Sequence, residues 1–278
     1  MPLPLDQLGA RALQWDVTIQ QTWETPLSML AFGVRGGAGV VLKISKQVGD
    51  EWLAGEILRA FSGHGAVRVY ESEPGAILLE RLEPGEQLAE LVRRGQDEEA
   101  TEILAQVMHQ MARHKAPEHC PTVWDWARGF DRYLNTSDKA IPRPLVDEAH
   151  KLYQQLAASA PATMLLHGDL QHYNVLFDSK RGWVAIDPKG VVGELEYEVG
   201  AILRNPVEQP ELFASTATIE RRLDCLTGML ELSHDRALAW AFAQAVLSAI
   251  WDIEDGYPVE SDHPALRLAL TIKQLVRL

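Results

Sequence analysis

The sequence predicts an α+β fold in two lobes, a small β-rich lobe followed by a larger helical one. Three observations carry this expectation. Alternating, strand-forming segments are confined to the first eighty residues or so, the turn-rich stretch LEPGEQ (82–87) follows them, and beyond it apolar residues recur at helical spacing. Pro84-Gly85 marks the expected boundary, dividing the chain into 1–83 and 84–278. A cleft between such lobes is where a ligand is expected to bind.

Taken in order, WDVTIQQTW (15–23) alternates imperfectly and reads as a strand. LSMLAFGVRGGAGVVLKIS (27–45) reads as two strands joined by a Gly-rich turn at 35–39. GDEWLAGEILRAF (49–61) is a short amphipathic helix with Leu53, Ile57, Ala60 and Phe61 on one face. AVRVYES (66–72) and AILLERL (76–82) form a hairpin around Glu73-Pro74-Gly75, completing a five-strand sheet with one helix. Helical patterns then cover 86–94, 97–114, 122–134 and 144–158, and Pro161 ends the series. A short strand, MLLHGD, precedes two apolar β-formers, VLF (175–177) and WVAI (183–186), and helices follow near 211–231, 234–254 and 263–277. The most apolar run, ALAWAFAQAVLSAIW (237–251), is interrupted by Gln244 and Ser248. It is shorter than the roughly 20 residues of a membrane span, so it reads as a buried helix. The terminal ALRLALTIKQLV (265–276) is amphipathic, and packing on its own lobe explains it as well as dimerisation does.

Composition narrows the function. With 46% hydrophobic and 23% charged residues the chain is an ordinary globular protein, and at 278 residues it is long enough for two lobes. A net charge of −13 argues against nucleic acid or an anionic membrane as partner. It would steer a cationic small molecule inward, although an acidic surface also serves solubility alone. Two cysteines, Cys120 and Cys225, are too few for a disulfide framework and point to a reducing cytoplasm. MPLPLDQLGA carries an acid where a signal peptide would carry cations, and no apolar segment follows.

The chemistry concentrates in HGDLQHYNVLFDSKRGWVAID (167–187). His167-Gly168-Asp169 followed at Asn174 has the spacing of a kinase catalytic loop, where the Asp accepts a hydroxyl proton and the Asn holds Mg²⁺. Asp187 comes thirteen residues after Asn174. The apolar segments between them, with DSKRG (178–182) as a turn, make a hairpin that returns Asp187 to Asn174. Two oxygen ligands on adjacent strand ends suit Mg²⁺. Lys43 ends the apolar strand GVVLKI, as a phosphate-pairing lysine does, and the next helix offers Glu51 and Glu56 as partners. Glu56 is preferred because it lies beside the apolar face and should point inward. No G-x-G-x-x-G precedes Lys43; Thr25, Ser28 and nearby backbone N–H groups of WETPLSML (23–30) stand where a phosphate-covering loop belongs. No A-P-E follows Asp187, which points to a small-molecule acceptor rather than a protein.

HGDLQHYNVL and AIDPKGVVGELEYEVGAILRNP, together with AILLERLEPG, GEILR and SAIWDIEDG, resemble the aminoglycoside/hydroxyurea antibiotic resistance kinases, a group that includes streptomycin 6-phosphotransferases. The resemblance spans nearly the whole chain. It implies a bilobal protein-kinase-like fold that transfers the γ-phosphate of ATP to a hydroxyl of a streptomycin-like aminoglycoside or of hydroxyurea. By position it implies Asp169 as catalytic base, Asn174 and Asp187 as Mg²⁺ ligands, Lys43 on the α/β-phosphates, and Glu56 orienting it. The backbone of Glu80, Arg81 and Leu82 would meet the adenine, His167 would support the loop, and Lys189 would contact phosphate or substrate or lie on the surface.

Gln171 departs from the family's usual His, and Glu194 and Glu198 stand where Asp is common, which bears on the acceptor more than on the transfer. Candidate acceptor-wall residues are Glu194, Glu198, Asp252, Glu254 and Asp255. Three of these acids end a helix, where the dipole disfavours negative charge; a cationic substrate, solvent, or a nearby Arg such as Arg204 would offset that. A housekeeping kinase for a sugar, amino alcohol or other metabolite is the alternative. A metallophosphoesterase needs several separated Asp/His blocks and this chain has one. A silent kinase-like binding module would not need Lys43, Asp169, Asn174 and Asp187 together.

Overall fold

The computed structural model describes residues 4–49, 52 and 54–275. It begins with an element the strand reading did not include, the helix α1 (Pro4–Gln14). Leu8, Ala12 and Trp15 recur at helical spacing and are all buried, against Val40, Leu42, Ile44 and Leu78. Strand β1 (Thr18–Glu24) therefore starts three residues later than the alternation suggested, and as a mostly exposed edge it alternates poorly. Strands β2 (Ser28–Arg35) and β3 (Ala38–Ser45) pair across Gly36-Gly37, whose φ values of 55° and 82° fit a two-residue hairpin turn open to glycine. Helix α2 (Ala54–Phe61) follows; the predicted Leu53 and Glu51 lie outside the described residues. Strands β4 (Val69–Glu73) and β5 (Ala76–Glu80) close an antiparallel sheet of order β1-β2-β3-β5-β4. Its β5 is apolar from Ala76 to Leu79 because both faces are covered: Ala76 and Leu78 face the cluster under α1, Ile77 and Leu79 the one holding α2.

The connector is more than a turn. Residues Pro84–Gln87 form β6, and the helix expected at 86–94 shrinks to α3 (Ala89–Arg93). Then come α4 (Asp97–Met111), α5 (Val123–Leu134), α6 (Arg143–Ala158) and β7 (Met164–Leu166). Strands β8 (Val175–Asp178) and β9 (Gly182–Ala185) form the expected hairpin, and β6 joins them as a third strand. Strand β10 (Val191–Gly193), not foreseen, pairs antiparallel with β7. The helix expected at 211–231 is two, α8 (Pro210–Phe213) and α9 (Thr216–Leu230), because Ser215 caps the second by accepting from Thr218 N–H. Between β10 and α8 lies the short α7 (Val199–Leu203), and α10 (His234–Glu254) and α11 (Pro264–Leu275) complete the chain.

Helix α10 is buried almost without a break from Ala237 to Ile250, as its apolar run requires. Among the described residues no helix is long and apolar enough to cross a membrane. Arg222 and Asp97 form a deeply buried ion pair, and Arg222 also donates to the carbonyls of Ile202 (3.1 Å) and Asn205 (2.6 Å). Burial alone would raise the Asp97 carboxyl, but Arg222 and Arg221 hold it below the usual carboxylate range. This network fixes α4, α9 and the end of α7 to one another, which places Arg204.

Candidate active site

The loop after β7 is held by three devices. His167, 2% exposed, donates from Nε2 to the Ile186 carbonyl (2.9 Å) and accepts at Nδ1 from the Asp169 N–H (3.3 Å), so one tautomer serves both bonds. Burial pushes this imidazole down to about 4, so it is neutral and structural at pH 7. Its carbonyl accepts from the N–H groups of Lys189 (3.0 Å) and Gly190 (2.9 Å), stapling the segment after Asp187 to the loop. Gly168 has φ 82°, and a Cβ there would lie 2.7 Å from the Trp126 ring, so only glycine fits. Its N–H donates to Glu198 Oε1 at 2.7 Å.

The four residues singled out by spacing converge. Asn174 Nδ2 donates to the Asp169 carbonyl (2.9 Å) and to Asp169 Oδ2 (3.1 Å), leaving the amide oxygen to face elsewhere. The Ile186 N–H donates to the Asn174 carbonyl at 2.8 Å, so the β8–β9 hairpin does bring Asp187 beside Asn174. Asp187 sits at φ 59°, a left-handed conformation that a non-glycine residue adopts only where its surroundings enforce it. Lys43, on the central strand β3, is ion-paired with Asp187. Burial pushes the Asp169 carboxyl up from its ordinary value; Arg204, Lys189 and the Asn174 amide oppose this, and Asp187 adds to it.

Other expectations fail for identifiable reasons. Glu56 does not turn inward: Ala54, Ile57, Leu58 and Phe61 take the buried face of α2, and at about 3.6 residues per turn Glu56 falls on the outer one. No ion pair joins Glu56 to Lys43 among the described residues, whereas Asp187 does pair with it. Ser28 is 2% exposed, and the Thr25 hydroxyl is occupied within its own turn, accepting from the Ser28 N–H (2.9 Å). Neither side chain covers a phosphate site, and of the turn's backbone the Thr25 N–H is taken by the Ser28 carbonyl (2.9 Å) and Pro26 has none, which leaves the Leu27 N–H. The Glu80 carboxylate is engaged by Arg181 and Arg68, and the Arg81 N–H by the Gly39 carbonyl (3.1 Å). The Leu82 N–H makes no backbone hydrogen bond among the described residues.

The proposed acidic wall separates into two groups. Glu194 is 2% exposed and accepts from Arg236 and Trp240; Glu198 is 3% exposed beneath the Gly168 loop, so neither faces a substrate. At the end of α10, Asp252 meets His263 (3.3 Å), Glu254 takes a bidentate bond from Arg132 (2.7 and 2.8 Å), and Asp255 is exposed. Arg204, suggested as their neutraliser, instead donates to Asp169 Oδ1 at 3.4 Å. A cavity of about 170 Å³ lies beside the loop, lined by Glu56, Ile57, Cys120, Trp126 and Lys189. Sequence spacing gave no sign of Trp126, which packs edge-on against Trp251 at 5.5 Å and so links the loop to the end of α10.

A profile of the aminoglycoside/hydroxyurea antibiotic resistance kinases matches residues 11–256. The chain belongs to that family. Family membership bears out both the kinase-like α+β expectation and the phosphotransferase one. Among curated relatives, the streptomycin 3''-kinase of Klebsiella pneumoniae is 31% identical over 245 residues, covering 86% of this chain and 87% of its own. The hydroxyurea phosphotransferase of Kitasatospora aureofaciens is 31% identical over 252 residues, covering 87% and 71%. Of solved structures, aminoglycoside phosphotransferase APH(4)-Ia superposes with a TM-score of 0.70 at 17% identity, covering 96% of this chain and 98% of its own. Choline kinase LicA from Streptococcus pneumoniae gives 0.66 at 13%, covering 98% of each chain. At such identities these two show the fold.

The buried Glu198 of this kinase carries a pH signature. Burial, with Asp169 adding to it, pushes its carboxyl up to about 7, against the backbone N–H bonds of Gly168 and His167. A carboxyl raised in the folded state binds its proton more tightly there, so its contribution is full below about pH 4.5 and is lost as pH rises through about 7. Unfolding free energy should therefore fall between pH 5 and 7.5 by on the order of 3 kcal/mol from this group. In Glu198→Gln that component should vanish. Urea denaturation of both proteins at the two pH values checks it, and identical slopes would exclude the assignment.

Proposed function

We propose that the chain is an ATP-dependent kinase that transfers the γ-phosphate to a hydroxyl of a streptomycin-like aminoglycoside or of hydroxyurea. The observation that carries this is the convergence of Lys43, Asp169, Asn174 and Asp187 through the Lys43–Asp187 ion pair, the Asn174–Asp169 bonds and the hairpin that returns Asp187 to Asn174. The names of the curated relatives support the acceptor class. On this reading residues 1–83 hold the nucleotide and 84–278 supply catalysis and the acceptor site; that Pro84 opens β6, which pairs with β8 of the second part, favours the division. Cys120 and Cys225 are both free, in keeping with a cytoplasmic setting.

The chain's residues suit Mg²⁺ as the partner of ATP. Asp187 and the Asn174 amide are hard oxygen donors, and among the described residues no cluster of three or more His, Cys, Asp or Glu offers a self-sufficient metal cage. A two-oxygen site completed by phosphate and water is the arrangement Mg²⁺ favours. When bound, the ion would neutralise charge on the phosphates. Lys43 then passes from Asp187 to the α/β-phosphates, and the Glu80 carbonyl with the Leu82 N–H would meet the purine edge. Asp169 accepts the proton of the acceptor hydroxyl as its oxygen attacks the γ-phosphorus; the bond to the β,γ-bridging oxygen breaks, and ADP leaves. The acceptor would enter past Trp126 and Lys189, with Asp252 and Asp255 as the remaining acids available to a cationic ring.

The test is ADP release from Mg-ATP across streptomycin, other aminoglycosides, hydroxyurea, simple sugars and amino alcohols, with Asp169→Asn as blank. Stimulation by streptomycin or hydroxyurea that the mutant lacks is the expected result. Stimulation by a neutral metabolite alone would replace the antibiotic by a housekeeping acceptor.

A further inference from the structure

The structure assigns Gln244 a positioning role for Asp169, exerted through Arg204; this rests on the reading of Asp169 as the base. Gln244 interrupts the most apolar helix of the chain and is only 3% exposed. An amide so placed costs stability unless it is paired, and an aliphatic residue would serve the core better. Both ends of this amide are used. Nε2 donates to the Tyr197 carbonyl and Oε1 accepts from Arg204 Nη1 at 3.3 Å. The other arm of the guanidinium, Nη2, reaches Asp169 Oδ1 at 3.4 Å.

The surroundings are arranged for this link. Gly200 faces Gln244 so closely that a Cβ there would lie 2.5 Å from Oε1, so the glycine makes room for the amide. Arg204 follows α7, and the carbonyls of Ile202 and Asn205 on either side of it are held by Arg222. Backbone and guanidinium are thus fixed independently, the first by Arg222 and the second by Gln244. The Arg204 side chain is 13% exposed, so its charge is poorly screened where it meets Asp169. Asp169 is then held from two sides, Oδ2 by Asn174 and Oδ1 by Arg204. A base fixed at both oxygens presents one orientation to the acceptor hydroxyl, and misplacement by about 1 Å costs up to about a hundredfold in rate.

A double-mutant cycle separates positioning from mere support of the fold. Gln244→Met keeps length and packing but cannot accept from Arg204. It should lower kcat for ADP release about tenfold, leave KM for Mg-ATP within about twofold, and cost nothing further in an Arg204→Met background. In an Asp169→Asn background it should change residual turnover less than about twofold. Equal losses in all backgrounds, or no loss in the wild-type one, would overturn the role. If Gln244→Met does not fold, Gln244→Asn keeps the amide on a shorter stem and should show the same non-additivity. A crystal structure of the folded variant reads the link without any acceptor: Arg204 should have left Asp169 Oδ1, and an unmoved contact would overturn the inference. Absence of turnover in the wild-type protein, or full turnover in Asp169→Asn, would instead sink the kinase reading.

Discussion

Asp169→Asn should reduce kcat by about a hundredfold to ten-thousandfold while leaving the fold and nucleotide affinity nearly unchanged. The substitution is isosteric, so the bond from Asn174 Nδ2 retains an oxygen acceptor at position 169. The group lost is the acceptor for the hydroxyl proton, together with the charge that meets Arg204. Stability should hardly suffer, because burial already disfavours the ionised form of this carboxyl. Steady-state ADP release, with circular dichroism and nucleotide titration as controls, measures each quantity. A folded mutant turning over within about threefold of wild type would remove Asp169 from the role of base.

Asp187→Asn should remove the gain in ATP affinity that Mg²⁺ confers, and lower turnover by at least about a hundredfold. Asn is chosen because it tolerates the left-handed backbone at φ 59°, where most residues would be strained. The variant therefore tests charge and ligation rather than folding. The ion pair with Lys43 is lost as well, which removes one carboxylate that competes with phosphate for that lysine and should leave metal-free ATP binding no weaker. Calorimetric titration with ATP in Mg²⁺ and in EDTA reads both effects. An undiminished Mg²⁺-dependent gain would place the metal elsewhere.

The candidate centre was legible in the sequence because its members are tied to local structure. His167, Asp169 and Asn174 share one loop, and Asp187 is returned by a hairpin whose turn, DSKRG, announces itself. Lys43 is likewise marked by the apolar strand that carries it, although β3 runs two residues past it. The direction in which the supporting side chains point was not legible from their position along the chain. Glu56 was turned inward although helix periodicity puts it outside, and Glu194 and Glu198 were given to the substrate although both are buried. Their carboxylates hold Arg236 and Trp240 in one case and the Gly168 loop in the other.

Pattern along the chain suffices for the α+β class, the family, and the four residues of the candidate site. The class rests on periodicity, Asp169, Asn174 and Asp187 on spacing within the 167–187 segment, Lys43 on the apolar strand that carries it, and the family on motifs spread over the chain, all of them patterns written along it. The tertiary structure alone decided which acids reach solvent, that α1 covers the back of the sheet, that β10 pairs with β7, and that Arg204 turns to Asp169 rather than to the acids ending α10. The physical reason is that burial and pairing of a charge depend on elements far apart in sequence. Arg204 and Gln244 lie 35 and 75 residues from Asp169; the first reaches it directly and the second only through Arg204, because α10 packs on α7.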